Sequence, residues 1–116
     1  MKKTNRTNKT ITVIFRSPGM KFQVRHYESL AKVHASLGNV PLRLTKVGSD
    51  MYIITRADAE TNGESLNMCY SLTKGDTCYT CDFHGDVVVI GYNPKHERFI
   101  SLTKAQINMF KNAQNQ

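Results

Sequence analysis

GDVVVIGYNPKHERFISLTKAQINMF, residues 85–110, decides the fold. Four successive apolar residues, Val87, Val88, Val89 and Ile90, stand between Gly85 and Gly91. Neighbouring side chains on a strand point to opposite faces, so an unbroken apolar run demands cover on both. The run predicts the central strand of a sheet. A polar turn and the short pair Phe99-Ile100 follow. Thr103-Lys104-Ala105-Gln106 then fits a capping box, in which Thr103 receives the Gln106 amide and Gln106 reaches back. Leu102 before the cap and Ile107 after it form a hydrophobic staple. Ile107 and Phe110 give this helix one apolar stripe that docks on the sheet, with residues 112–116 expected to fray.

Outward from this stretch, toward the N-terminus, two hairpins are expected. In residues 10–16, Ile11, Val13 and Phe15 alternate with polar neighbours. Ser17-Pro18-Gly19-Met20 is a type II turn signal, since Pro presets the first central angle and Gly accepts positive φ at the second. Residues 21–26 alternate again. With Pro18-Gly19 at the tip, Phe15 faces Phe22 and Val13 faces Val24. The other face then sets Arg16 opposite Lys21 and Thr12 opposite Arg25, a basic surface. Residues 27–37 carry Leu30, Val33, His34 and Leu37 at helical spacing, closed by Gly38-Asn39 and Pro41. Residues 40–47 and 51–56 form a second hairpin around Gly48-Ser49-Asp50. In it Leu42 and Leu44 share a face, as do Tyr52 and Ile54. Residues 57–67 read as an acidic loop, 68–72 as a short mixed run, 73–77 as a turn and 78–83 as a strand.

The expected fold class is α+β: a largely antiparallel sheet of about five to six strands with two helices packed on it. Residues 10–116 make one domain, preceded by a basic, disordered arm over residues 1–9. The formal net charge is +7. Lys2, Lys3, Arg6 and Lys9 supply four of the 16 basic groups, leaving 12 against nine acidic ones in the rest of the chain, a surplus of only three. Three Cys is not the even count of a secreted disulfide framework. No apolar h-region follows the basic start, and no run approaches a membrane span. The expectation is a cytoplasmic protein away from membranes.

Chemistry is sparse. Cys78-Tyr79-Thr80-Cys81 is a CxxC, with His84 after it and Cys69 before it, so these residues are the candidates for a metal or redox site. Zinc needs about four converging ligands. On a strand the odd spacing of Cys78 and Cys81 would turn the thiols to opposite faces. Asp82, His84 and Asp86 could share a strand face, and Ser71 and Ser101 are available hydroxyls, but no nucleophile elbow or phosphate-binding glycine loop occurs. No catalytic residue and no cofactor are assigned. For nucleic acid, the candidates are Lys2, Lys3, Arg6 and Lys9 of the arm and Arg16, Lys21 and Arg25 of the first hairpin. Tyr27, Tyr52, Tyr79 and Tyr92 are possible stacking partners, and there is no Trp.

The succession of Gly85-Asp86, the apolar run, Gly91, and then Phe99-Ile100-Ser101-Leu102-Thr103 before a helix resembles a small domain-of-unknown-function family, DUF thirty-eight forty-six, of bacteriophages, plasmids and conjugative elements. Tyr52, Ile53 and Ile54, the turn at Asn62-Gly63, and Asn67 match its middle, and the likeness extends over residues 11–112. Loop 57–67 and the segment 77–81 depart from it. The resemblance implies an accessory protein of a mobile element that acts by binding a host or self protein, and it brings no catalytic residues. A basic nucleic-acid-binding module is the second expectation, and a metal or redox protein around the CxxC the third.

Overall fold

In the computed structural model, which describes residues 10–74 and 76–114 with the side chains of 72–74, 79 and 113–114 excepted, residues 87–90 lie at the centre of the main sheet. Their strand, β7 (Val87–Asn93), is flanked by β1 (Ile11–Arg16) on one edge and β4 (Met51–Arg56) on the other. Beyond these stand β2 (Gln23–Tyr27) and β3 (Leu42–Val47), giving the order β2-β1-β7-β4-β3. β8 (Arg98–Ile100) folds back along the end of β7, and every pairing is antiparallel. β5 (Leu66–Lys74) and β6 (Thr77–His84) form a separate two-stranded ribbon. Helix α1 spans Leu30–Ser36 and α2 spans Lys104–Gln114.

Val87, Val88, Val89 and Ile90 are each fully buried. Val87 and Val89 join Ile14, Ile53, Phe83, Leu102 and Phe110 on one face of the sheet. Val88 and Ile90 join Val13, Phe15, Val33, Leu37 and Ile54 on the other. α2 and the ribbon cover the first face, and α1 covers the second. At about 1.5–3 kcal/mol per side chain, these four residues supply on the order of 6–12 kcal/mol of apolar burial against the chain entropy.

Gly91 does not end the strand, as the framing by two glycines suggested. It lies inside β7, where a Cβ would stand 2.7 Å from the Ser101 carbonyl oxygen and 2.9 Å from that of Ile100. The glycine lets β8 cross at that distance. The capping box forms with both bonds: Gln106 N donates to Thr103 Oγ1 at 3.1 Å, and Thr103 N donates to Gln106 Oε1 at 2.7 Å. Leu102 is buried in the core cluster and Ile107 packs against that cluster, the placement a staple requires. α2 runs on through residues 112–114, which were expected to fray, while 115–116 lie outside the described residues.

The second hairpin forms as read, and its register sets Leu44 opposite Ile54 and Lys46 opposite Tyr52. The first departs from its expected register. Its turn forms as read, with Met20 N donating to Ser17 O at 3.0 Å and Gly19 at φ 79°. The ladder, however, pairs Phe15 with Gln23, Ile14 with Val24 and Val13 with Arg25, one residue away from the expected register. A slip of one exchanges the faces of the whole second strand. Phe22 thereby leaves Phe15 and stacks edge-on against Phe110, with ring centroids 5.8 Å apart.

α1 also starts later than expected, because Tyr27 still pairs with Ile11. Ser29 is the N-cap, its hydroxyl accepting from Lys32 N at 3.3 Å. At the other end Gly38 N donates to Ala35 O and Asn39 N to His34 O, a Schellman closure with Gly38 at φ 98°. Of the expected stripe, Val33 and Leu37 are buried, whereas Leu30 and His34 are exposed. No helix among the described residues is long and apolar enough to cross a membrane.

Candidate functional site: an aromatic groove beside the ribbon

A groove of about 360 Å³ is lined by Arg16, Phe22, Met68, Cys69, Tyr70, Met109 and Phe110. Four elements build it. The last residue of β1 supplies Arg16. The altered register of the first hairpin delivers Phe22. β5 supplies residues 68–70, and α2 supplies Met109 and Phe110. Tyr70 and Phe110 lie with centroids 5.9 Å apart, continuing the wall begun by Phe22. Burial pushes the Tyr70 phenol above its ordinary value, and the Asp50 carboxylate adds to the rise. Met109 is 45% exposed on the rim, whereas Phe110 is 4% exposed.

Arg16 is the one charged residue of the lining. Its guanidinium carbon lies 4.7 Å from the centroid of the Phe22 ring. Its Nε is buried with no hydrogen-bond partner among the described residues, and no ion pair engages the side chain there. A buried, unpaired donor on a cation is costly, which makes Arg16 a candidate receptor for an anionic group. The backbone around it is fixed: Asn67 Nδ2 donates to both Arg16 O and Gly85 O at 2.7 Å. Asn67 sits at the register shift between Leu66 and Met68, so an irregularity in the ribbon anchors its root to β1.

The expected basic face of the first hairpin is not assembled. Arg16 points to the α2 side of the sheet, with Ile14. Arg25, opposite Val13, lies on the α1 side with its guanidinium carbon 3.7 Å from the Phe15 ring centroid. Its nitrogens donate to Gln23 Oε1 and Tyr27 Oη. Lys21 is exposed in the turn. Thr12 pairs with His26, at 2.9 Å between Oγ1 and Nδ1, and not with Arg25. Lys2, Lys3, Arg6 and Lys9 lie outside the described residues, as does the arm they were assigned to. Tyr52 and Tyr92 pack edge to face on each other and on Phe99, with centroids 5.0–5.6 Å apart, and the Tyr79 side chain is outside the described set.

The CxxC lies on β6, a full strand, where the spacing does separate the thiols. Cys81 packs toward the core with Tyr70, while Cys78 is exposed on the opposite face. His84 is six residues along from Cys78, about 20 Å at strand rise. Its Nδ1 lies 3.1 Å from Glu64 O and its Nε2 3.8 Å from Glu60. Among the described residues no group of three or more His, Cys, Asp or Glu converges as metal ligands would. Cys69 faces Asp82 across the ribbon, and that hydrogen bond, with minor help from desolvation and charge, holds its thiol above the ordinary range. Asp86 accepts from Ser17 Oγ at 2.7 Å, and Ser101 Oγ accepts from Thr12 N at 2.9 Å. Asp82, Asp86 and Ser101 are thus engaged in separate structural bonds, while Ser71 stands opposite Thr80 on the ribbon.

The groove was invisible to sequence reasoning because its walls come from four distant segments. The signals present were Phe22 just after a turn and the exposed Met109 beside Phe110. Compared with known proteins, the chain matches no family model, no curated protein and no solved structure.

Proposed function

We propose that this chain is a non-catalytic binding protein whose working surface is the groove between α2, the β5–β6 ribbon and the first turn. The observation that carries the reading is Arg16: a cation whose buried Nε has no hydrogen-bond partner among the described residues, in an otherwise apolar, aromatic wall. The lining has the makeup of a binding pocket, mostly apolar with one placed polar group. It offers a cation for an acidic group and flat apolar surface for the body that bears it, and the hydrogen bond to Asp82 raises the Cys69 pKa and disfavours the thiolate. The partner is taken to be a host or self protein of a phage or other mobile element, the setting implied by the family resemblance.

The test uses the whole protein as bait in host lysate, with and without nuclease, beside the variants Arg16→Gln and Met109→Lys. The expected result is a nuclease-resistant partner held by the wild type and lost from both variants, each of which keeps its thermal transition. A partner retained equally by all three baits would remove the groove from consideration. One released by nuclease would favour the nucleic-acid module instead.

A further inference from the structure

Resting on that reading, we infer how the partner is held: an extended segment of it adds to the free edge of β5 as a third strand of the ribbon. The groove is lined by Met68, Cys69 and Tyr70, three successive residues of one strand. Alternate side chains of a strand point to opposite faces, so a cleft touched by three in a row runs along the edge of the strand. That edge is unpaired. β5 bonds to β6 alone, and no other strand among the described residues joins the ribbon. An open edge presents backbone N–H and C=O groups to whatever fills the groove, which is the basis of recognition by strand addition.

The lining then states what the added segment carries. Arg16, with no acidic residue among the seven lining groups, calls for a carboxylate. Phe22, Tyr70, Met109 and Phe110 call for a large apolar or aromatic side chain. Residues two apart on a strand point the same way, so the two anchors are spaced i and i+2. The ribbon is suited to this use. It stands apart from the main sheet, and its root is fixed by the Asn67 bonds, so the edge is held in place before a partner arrives.

A random peptide display library selected on the intact chain tests this. Selected peptides are expected to share an acidic residue two positions from a large apolar one. Replacing that acid by its amide, or Arg16 by Gln, is expected to weaken binding about 10-fold or more, as for a lost charge-assisted hydrogen bond. N-methylation of the peptide is expected to abolish binding at alternate amides and to spare the amides between. Peptides that lose affinity with Met109→Lys yet tolerate N-methylation at every amide would overturn strand addition and leave the groove as the site. Binding insensitive to Met109→Lys, or a library that yields no binder, would overturn both. Selected peptides without an acid would remove Arg16 as the receptor.

Discussion

Asn67→Ala strikes the joint between ribbon and sheet. The wild-type amide donates at 2.7 Å to Arg16 O and at 2.7 Å to Gly85 O, and the residue is 7% exposed. Alanine strands both carbonyls, at roughly 1–3 kcal/mol each, about 2–6 kcal/mol together. It also removes Oδ1, which is buried without a partner among the described residues, and that offsets about 1 kcal/mol. The expected loss is therefore about 1–5 kcal/mol. At about 4 °C per kcal/mol for a chain of this size, the thermal midpoint falls by roughly 4–20 °C. Circular dichroism melts and urea titrations read the change. Asn67→Asp sharpens the test. Its carboxylate would face two carbonyl oxygens in a buried site, which raises its folded pKa above the unfolded one. The folded state of this variant is then favoured at low pH, and its deficit widens as pH rises through the raised pKa. An alanine variant within about 0.5 kcal/mol of wild type, or an aspartate variant with a flat pH profile, would mean that the amide does not hold the two carbonyls.

Thr103→Ala is expected to cost about 1 kcal/mol, and a double-mutant cycle with Gln106→Ala to show coupling above about 0.5 kcal/mol, because the two side chains bond reciprocally. Additive losses in urea titrations would contradict the capping box. Gly91→Ala forces a Cβ against two backbone carbonyls of the β8 segment and is expected to destabilise by about 1–3 kcal/mol, with amide chemical shifts moving at residues 99–102. Asp82→Ala removes the acceptor and charge that raise the Cys69 pKa. The thiolate fraction at pH 8.5 then increases, and alkylation of Cys69, followed by mass spectrometry, is expected to quicken.

What the sequence made legible follows from how local the cause was. The run 87–90 announces its burial because four apolar neighbours have no exposed face to use, and the start of α2 lies in six consecutive residues. The second hairpin was legible because the alternation of Leu42 with Leu44 and of Tyr52 with Ile54 agrees with the turn between them. In the first hairpin the apolar pattern favoured Phe22 facing Phe15. The loop is one residue longer than that pairing allows, and Phe22 instead meets Phe110 from the other end of the chain. That contact, on which the groove depends, has no local signature. The ribbon was only partly legible, since Cys, Thr, Tyr and Asp alternate too weakly to mark strands that continue to Lys74 and from Thr77.

The placement of β7 between β1 and β4 also bears on synthesis. A ribosome completes both N-terminal hairpins before it reaches residue 87, and neither hairpin pairs with the other. Until β7 emerges, each carries a bare inner edge that only this later strand covers. Crowded nascent chains could join at those edges. The order of translation thus makes the interval before residue 87 the period of greatest exposure to misassembly between neighbouring chains, and the point at which a chaperone would have most to shield.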